Sequence, residues 1–385
     1  MNKTSVYNIK IDFDKSHGSY VFDKNTKKYY LDFMGMYSSL PLGYNHKVFN
    51  SKIWKEDILR VSKLKIVNCE MLSDEFEGFN DSFIDFAGIG KYTHSHYTCT
   101  GALANESAVK TAMWYKGPRE HGYILSIKNS FHGINSIGNV LTTRFSGVDL
   151  RLGDIPGKNI WPCVNSIEEA IQHVKNPNKN LQGVIIEPIQ ATYGDSYFEK
   201  QKLKELRDVC TEYDIPLIFD EVQTGFCSTG KVWYSEHLEI EPDIIVFGKK
   251  SQVSGILVKE SHSKVFEIPK RLSVTFDGDL VDMIRCRYII EAIKEYNLLE
   301  NIDNSGKYFR SRLDELDGII NVRNTGLLFA FDFEDGSIRD NFVNRLYKNG
   351  MICNPTGKRS VRMRPNLAIK KLEIDDSIKI IKSSL

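Results

Sequence analysis

Residues 183–189 read GVIIEPI, residues 200–214 read KQKLKELRDVCTEYD, residues 215–222 read IPLIFDEV and residues 242–250 read PDIIVFGKK. The first, third and fourth stretches are short and almost wholly apolar, as in strands that are buried on both faces. The second stretch places apolar residues at helical spacing among charged ones, which predicts an amphipathic helix. Strands that alternate with a helix in this way are typical of a parallel sheet covered by helices, so the segment predicts an α/β fold.

The residues before this segment continue the same pattern. Residues 102–116 have apolar residues at helical spacing and follow a glycine, which predicts a helix. Residues 122–127 (GYILSI) form a short apolar strand that leads into the polar loop KNSFHGINSIG at 128–138. We therefore expect a further strand whose carboxyl end carries a functional loop.

The two ends of the chain predict a second, smaller structure. Residues 18–33 form two apolar stretches around an Asn-Thr-Lys-Lys turn, which predicts a β-hairpin. The loop at 34–46 is rich in glycine, serine and aromatic residues, and it either lines a site or is a plain connector. After about residue 275, helical patterns at 281–297 and 305–316 precede strand-like stretches, as in a small α+β domain.

Length and composition indicate a folded chain of more than one domain. At 385 residues the chain is too long for one small core. We predict an N-terminal segment at 1–35 that packs with the small domain, a large domain at 36–272 and a C-terminal small domain at 273–385. A hydrophobic fraction of 41% and a charged fraction of 26% are ordinary for a globular protein.

Charge, hydropathy and cysteine spacing exclude several classes of partner and location. The formal net charge of +1 provides no global attraction for nucleic acid or an acidic membrane surface. No apolar run approaches the roughly 20 residues of a spanning helix, and the N-terminus lacks a signal-peptide core, so we expect a cytoplasmic protein. The seven cysteines are scattered without a CxxC spacing, which argues against a disulfide framework and against a metal site.

Two charged residues at strand ends are the first candidates for chemistry. Asp220 ends an apolar strand, where a carboxylate binds a metal, acts as a base or pairs with a protonated ring nitrogen, unless it is a satisfied structural group. Lys249 follows a neighbouring strand, where desolvation would make it a nucleophile toward a carbonyl, although a solvated surface lysine is the commoner case. Together they fit pyridoxal 5′-phosphate (PLP), which needs a Schiff-base lysine and an acid on its ring nitrogen.

A phosphate site is the third requirement of this cofactor. Thr100, Gly101 and Ala102 are small residues at the predicted start of a helix, whose free N–H groups and dipole attract a phosphate. Taken alone, a glycine before a helix is more often an ordinary cap.

Several stretches resemble the class III, fold-type I, PLP-dependent aminotransferases in their order and spacing. Within that class, other stretches are most similar to the L-lysine 6-aminotransferase subgroup. The class resemblance is carried by TGALANESAVK (100–110), SFHG (130–133), VIIEPIQ (184–190), LIFDEVQTG (217–225) and PDIIVFGKK (242–250). The subgroup resemblance is carried by SSLPLGYNH (38–46), FGKKSQVSGI (247–256) and TFDGDLVDMIRCR (275–287), and the whole spans about residues 17–370.

The resemblance implies an architecture and a set of cofactor contacts. It implies a large domain with a mainly parallel sheet flanked by helices, a smaller α+β domain, and a homodimer with shared active sites. Lys249 is the implied Schiff-base lysine, with Lys250 as its non-catalytic neighbour, and Asp220 is the implied partner of the pyridinium nitrogen. Gly101 and Ala102 would bind the phosphate through their backbone.

Further site residues are implied in the same way. Phe131 would stack on the cofactor ring, and Gln223 would approach its phenolic oxygen. Glu187 would lie near the substrate amine, with a structural carboxylate as the alternative. Thr275 would reach the phosphate across the dimer interface, and His132 is a cofactor-site residue of undecided role.

Substrate recognition is where the sequence departs from the subgroup. Arg362 would bind a substrate carboxylate, with Arg364 as a second candidate. The subgroup has an arginine after FHG that binds the α-carboxylate, whereas this chain has Ile134. The subgroup's Gly-Glu-Gly after EPIQ reads Ala-Thr-Tyr at 191–193, so Thr192 replaces the glutamate. The chain is also shorter than usual between SFHG and VIIEPI.

The sequence therefore predicts a PLP-dependent aminotransferase with an open choice of substrate. We expect transfer of a terminal amino group from a lysine-like or other amine donor to a 2-oxo acid such as 2-oxoglutarate. One alternative is another PLP reaction: a tailoring aminotransferase of a secondary metabolite, a racemase or a decarboxylase. Another is a PLP-binding protein without turnover.

Overall fold

The computed structural model describes residues 7–68, 70–144, 161–176 and 180–385. These residues form two compact units. The terminal unit comprises the described residues up to Glu56 together with Glu291–Leu385, and the central unit comprises Asp57–Ile290. The domain boundaries expected at 35/36 and 272/273 stay a prediction. Cys69 and part of the shortened stretch between SFHG and VIIEPI, residues 145–160 and 177–179, lie outside the described residues.

The strands are numbered here in chain order. They are β1 (Tyr20–Asp23), β2 (Lys28–Asp32), β3 (His94–Thr98), β4 (Tyr123–Ile127), β5 (Cys163–Val164), β6 (Leu181–Ile186), β7 (Ile189–Gln190), β8 (Ser196–Tyr197), β9 (Leu217–Asp220), β10 (Ile244–Phe247), β11 (Ser254–Val258), β12 (Ile320–Thr325), β13 (Leu328–Asp332), β14 (Met351–Ile352), β15 (Asn354–Thr356) and β16 (Ser360–Met363).

The helices are numbered in the same way. They are α1 (Gly35–Ser38), α2 (Lys52–Val61), α3 (Asp74–Ala87), α4 (Gly101–Lys116), α5 (Ser136–Leu141), α6 (Ile167–Lys175), α7 (Lys200–Glu212), α8 (Ser235–Leu238), α9 (Leu280–Glu295), α10 (Leu298–Asp314), α11 (Gly336–Lys348) and α12 (Lys371–Ser384), with 3₁₀ helices at Lys47–Asn50, Lys249–Ser251 and Glu260–Glu267. None of the helices in the described part of the chain is long and apolar enough to cross a membrane.

The terminal unit is an α+β structure. Its predicted hairpin is present, because β1 and β2 pair antiparallel with Tyr20 opposite Leu31, and β14 adds a parallel strand beside β2. A second sheet runs in the order β12-β13-β16-β15 and is antiparallel throughout. Helices α10, α11 and α12 follow or precede these strands along the chain.

The central unit contains a seven-stranded sheet in the order β3-β11-β10-β9-β6-β4-β5. Strands β10, β9, β6 and β4 are consecutive neighbours and run parallel, whereas β11 is antiparallel to both of its neighbours. All residues of β4, β6, β9 and β10 are buried, as expected for strands covered on both faces. The predicted mainly parallel sheet of fold type I is confirmed.

Helix α4 packs closely on this sheet because its buried face is made of small residues. Ala104, Ala108 and Ala112 belong to one buried cluster with Ile185 and Ile218 of the strands. Thr100 caps the helix, since its side-chain oxygen accepts a hydrogen bond from the Leu103 amide. The close packing sets the N-terminus of α4 beside the residues that follow the strands.

Glu221 is a buried carboxyl group that lies next to Asp220 but has structural partners. Its two oxygens accept hydrogen bonds from the Tyr234 amide at 2.6 Å, the Ser235 amide at 2.9 Å and the Thr224 hydroxyl at 3.1 Å. Burial raises the pKa of Glu221 from 4.5 to about 7, although these donors oppose the rise. The side chain thus fixes the backbone ahead of α8.

We expect this carboxyl group to make the protein less stable as pH rises. Folded protein keeps the proton up to about pH 7, whereas the unfolded chain releases it near 4.5, so the free energy of unfolding falls between these values. The shift corresponds to about 3 kcal/mol. Urea unfolding of both proteins at pH 4.5 and pH 8 measures this effect. The free energy of unfolding of Glu221→Gln, relative to that of the wild type, should be about 3 kcal/mol higher at pH 8 than at pH 4.5.

The exposed Glu212 of α7 provides the control, because Glu212→Gln should leave the pH profile of stability parallel to that of the wild type. Parallel profiles for Glu221→Gln and the wild type would contradict the prediction.

Candidate active site

Four neighbouring parallel strands end at the same edge of the central sheet and deliver the candidate residues there. The loop after β4 carries Phe131 and His132, and Glu187 directly follows β6. Asp220 is the last residue of β9, and Lys249 comes two residues after β10. Because the carboxyl ends of parallel strands meet at one edge, residues from distant parts of the chain lie side by side.

These residues surround a cavity of about 230 Å³. The cavity brings together eight of the nine predicted cofactor residues, all except Thr275. Its lining comprises Gly101, Ala102, Asn105, Phe131, His132, Gly133, Ile134, Glu187, Asp220, Val222, Gln223 and Lys249. Most of the polar members are buried, whereas Lys249 and Phe131 are half-buried and Ile134 is 48% exposed, so the cavity is open toward Ile134.

Asp220 is held by three N–H donors. The Nδ1 atom of His132 donates to Oδ2 at 2.8 Å, and Nδ2 of Asn105 donates to the same oxygen at 2.9 Å. The Val222 amide donates to Oδ1 at 3.1 Å. Asn105 also donates to the His132 carbonyl at 3.0 Å, which ties helix α4 to the loop after β4. The carboxylate is therefore fixed in direction at the wall of the cavity.

The N-terminus of α4 forms a cradle that only small residues can make. A Cβ atom on Gly101 would lie 3.2 Å from the Val222 side chain, so the first turn of the helix sits directly against the strand end. Gly133 has a φ of +119°, and a Cβ atom there would lie 2.9 Å from that of Ala102. Both glycines therefore allow neighbouring segments to approach closely at the N-terminus of α4, whose free N–H groups attract anions.

Lys249 and Glu187 complete the wall. Lys249 has a φ of 55°, a left-handed conformation that costs a non-glycine residue about 1–2 kcal/mol. Such strained positions are concentrated at functional sites. Glu187 is 4% exposed, and its Oε1 accepts a hydrogen bond from the Phe131 amide at 2.8 Å.

The site fits a phosphorylated pyridine aldehyde. Buried polar atoms of three lining residues have no partner within the described residues: Asn105 Oδ1, His132 Nε2 and Gln223 Oε1. Buried polar groups normally have partners, so these atoms indicate that a polar group belongs in the cavity. A carboxylate, a lysine amine and a helix N-terminus are the groups that would hold the ring nitrogen, the aldehyde carbon and the phosphate.

Three predicted residues do not line this cavity. Thr275 is exposed, and its predicted contact across a dimer interface stays a prediction. Arg362 lies on β16 of the terminal unit and is 6% exposed. Arg364 donates from Nη1 to the Phe329 and Met363 carbonyls at 3.0 and 3.1 Å, so its guanidinium is used within the terminal unit.

Asn105 was not singled out from the sequence, although it holds Asp220. It lies on the same face of α4 as Ala104, Ala108 and Ala112, where a polar residue interrupts a run of small apolar ones. A polar residue on a buried helix face requires a buried hydrogen-bond partner, and this feature of the sequence could have identified Asn105.

Comparisons with known proteins agree with this geometry. A family model described as aminotransferase class-III matches residues 1–385. An L-lysine-epsilon aminotransferase of Mycobacterium tuberculosis is 32% identical over 98% of this chain and 92% of its own length. A probable mitochondrial 4-aminobutyrate aminotransferase of Caenorhabditis elegans is 28% identical over 100% of this chain and 89% of its own length. The solved lysine aminotransferase of M. tuberculosis in the internal aldimine form superposes with a TM-score of 0.93, at 30% identity, over 100% of this chain and 96% of that one.

Proposed function

Because the chain belongs to the class-III aminotransferase family and is a PLP-dependent enzyme, we propose that it moves a terminal amino group from a lysine-like or other amine donor to a 2-oxo acid such as 2-oxoglutarate. The observation that carries the proposal is the meeting of Lys249, Asp220 and the N-terminus of α4 around one cavity. When bound, PLP supplies an aldehyde that takes up the amino group and a ring that accepts electrons.

Lys249 is the proposed catalytic residue. Its amine would hold the cofactor covalently and, once free, would move a proton to and from the reacting carbon of the substrate. The position of Lys249 two residues after β10 supports this role, since the residue is half-buried at the cavity wall and its backbone has a left-handed conformation.

The other cavity residues bind and orient the cofactor. Asp220, with His132 and Asn105 behind it, would keep a proton on the ring nitrogen. Gly101 and Ala102 would bind the phosphate through their backbone, and Phe131 would cover a face of the ring. Gln223, whose side-chain oxygen is buried without a partner among the described residues, would meet the phenolic oxygen.

Substrate binding is the part of the proposal in which this chain differs from the lysine subgroup. Arg362 would orient the carboxylate of the 2-oxo acid, and Glu187 would attract the donor's ammonium group. The lysine and 4-aminobutyrate relatives act on terminal amines by name, which supports a terminal amine as the donor. Ile134 and Thr192 differ from the lysine subgroup, so we leave the remainder of the donor open.

Two further properties stay predictions from the sequence. A homodimer with shared active sites, in which Thr275 reaches the phosphate of the partner subunit, follows from the class resemblance. A cytoplasmic location is likewise an expectation from the amino-acid sequence.

A donor panel tests the proposed function. Purified protein loaded with PLP is mixed with 2-oxoglutarate and, in turn, L-lysine, L-ornithine, 4-aminobutyrate or a simple diamine, and glutamate is quantified. We expect glutamate with at least one terminal amine and none with Lys249→Ala. If no amine gives glutamate while racemised or decarboxylated product forms instead, another PLP reaction replaces transamination. If the protein binds PLP but converts no amine at all, the non-catalytic alternative holds.

A further inference from the structure

The C-terminal half of helix α4 borders a second cavity of the central unit. This cavity has a volume of about 600 Å³. It is lined by residues of α4 and of the segment that follows the helix, together with Gln182 of β6 and Lys264. None of its lining residues lines the cavity at the strand ends, to which α4 contributes Gly101, Ala102 and Asn105. The two cavities therefore lie toward opposite ends of one helix.

All charged residues that line this second cavity are cations. They are Lys110, Arg119 and Lys264, and no carboxylate is among the lining residues. Lys110 and Lys264 are exposed, and Arg119 is half-buried. In the described part of the chain, none of the three side chains forms an ion pair or a hydrogen bond. Like charges that share a cavity without counterions repel one another, so an anion placed among them is attracted by all three.

Another cavity of the central unit shows the usual, balanced arrangement. It is also lined by three cations, Lys204, Arg207 and Lys259, but five carboxylates line it as well. Each of these cations has a nitrogen within 3.7 Å of a carboxylate oxygen. The whole chain has 51 basic and 50 acidic residues, so cations without carboxylates are a local departure from an even mixture. The cavity at the end of α4 is thus suited to an anionic ligand.

Trp114 gives the same cavity a flat apolar surface. Its indole is half-buried, and the neighbouring Met113 adds a further apolar group to the lining. The Cζ atom of Arg271 lies over the indole, 5.2 Å from the ring centroid, and Arg271 has no ion pair in the described residues. A fourth cation therefore stands beside the ring. Nucleic acid bases stack on indole rings and on guanidinium planes, so this corner is suited to a planar base.

The C-terminus of α4 would oppose an anion if its carbonyl groups were free, because helix C-termini carry a partial negative charge. The buried Gln182 removes part of this obstacle. Its Nε2 atom donates to the Gly117 carbonyl at 2.7 Å and to the Met113 carbonyl at 3.4 Å. The remaining partial charge amounts to about half a unit or less, whereas three full positive charges line the cavity.

We propose that this cavity binds a nucleoside di- or triphosphate, with the phosphates among Lys110, Arg119 and Lys264 and the base on Trp114. A phosphate monoester carries about 1.5 to 2 negative charges at pH 7, so one phosphate would leave the three cations partly uncompensated and two would match them. Arginine binds phosphate through paired N–H groups and lysine as a point charge. The volume of the cavity lies within the range of about 300–1,000 Å³ that is typical of ligand sites.

Calorimetric titration of the PLP-loaded protein with ADP, pyrophosphate and adenosine tests the proposal. ADP represents the ligand class, because stacking on an indole tolerates any base. ADP should bind, and adenosine and pyrophosphate should each bind at least about 10-fold more weakly, since adenosine lacks the charged contacts and pyrophosphate lacks the stacked base. Trp114→Ala should weaken ADP binding by about 5- to 100-fold and leave pyrophosphate binding unchanged.

A double variant examines the cations without disturbing the core. Lys110→Met with Lys264→Met changes two exposed side chains and should weaken both ADP and pyrophosphate binding by about 10- to 100-fold. Lys63→Met with Lys231→Met is the matched control, because it removes two exposed lysines of the central unit that lie outside the cavity lining. This control should bind ADP as the wild type does.

Three results would overturn the inference. They are a wild-type protein that does not bind ADP, an unchanged ADP affinity in Lys110→Met with Lys264→Met, and equal losses in the two double variants, which would show a response to overall charge. Because the titration needs no amine donor, its outcome is independent of the donor panel, and failure of one proposal leaves the other to be decided by its own experiment.

Discussion

Replacing Lys249 by alanine is expected to abolish the amine-sensitive visible absorbance of the PLP-loaded protein. The same substitution is expected to lower the rate of transamination by more than about 10⁴-fold. Two losses combine in this variant. The cofactor loses its covalent hold, and the reacting carbon loses the group that moves its proton. Both losses follow from the position of Lys249 at the cavity wall after β10. Absorbance spectra and single-turnover kinetics measure them separately.

Two further variants make this result specific to the amine of Lys249. Lys249→Arg keeps a cation of similar length that cannot hold the cofactor covalently, so it should be as inactive as the alanine variant. A folded Lys250→Met variant should keep the absorbance, because Lys250 is buried outside the cavity lining. If Lys249→Ala retained an amine-sensitive absorbance, the assignment of Lys249 would be wrong.

Replacing Asp220 by asparagine is expected to lower the rate of transamination by about 10²- to 10⁴-fold while the covalent hold on PLP remains. Loss of one member of a buried charged pair costs about 3–5 kcal/mol, which gives this range. The new amide nitrogen would also face the N–H donors of His132 and Asn105 in place of an acceptor. The measurement is the rate of the half-reaction with the donor identified in the panel.

Asp208→Asn provides the control, since Asp208 is an exposed residue of α7 and its loss should leave the rate unchanged. A wild-type rate in Asp220→Asn would mean that Asp220 is a structural carboxylate, the alternative that its strand position alone left open.

The sequence predicted those parts of the fold that local patterns determine. The strands β4, β6, β9 and β10 are continuous apolar runs, and the hairpin of β1 and β2 surrounds a turn, so each was recognisable from composition and spacing. Parallel pairing then follows, because a helix such as α7 separates consecutive strands. The order of the sheet, with β10, β9, β6 and β4 as neighbours, was not predictable from periodicity, since it depends on contacts between distant segments.

The residues that line the cavity could be predicted where a motif coincides with a strand end, as for Asp220, Lys249 and Glu187. Asn105 was missed because a single asparagine in a helix carries no local signal until the face it occupies is known to be buried against Asp220.

The residues around the cavity differ in how well their positions tolerate substitution. Lys249, Asp220 and Glu187 are joined to buried strands, so a shift of any of them would disturb the packing of the whole sheet. Ile134 lines the cavity but is exposed on a loop, so an exchange at this position leaves the core intact. The shape of the cavity at Ile134 can therefore change while the strands that carry Lys249, Asp220 and Glu187 keep their places.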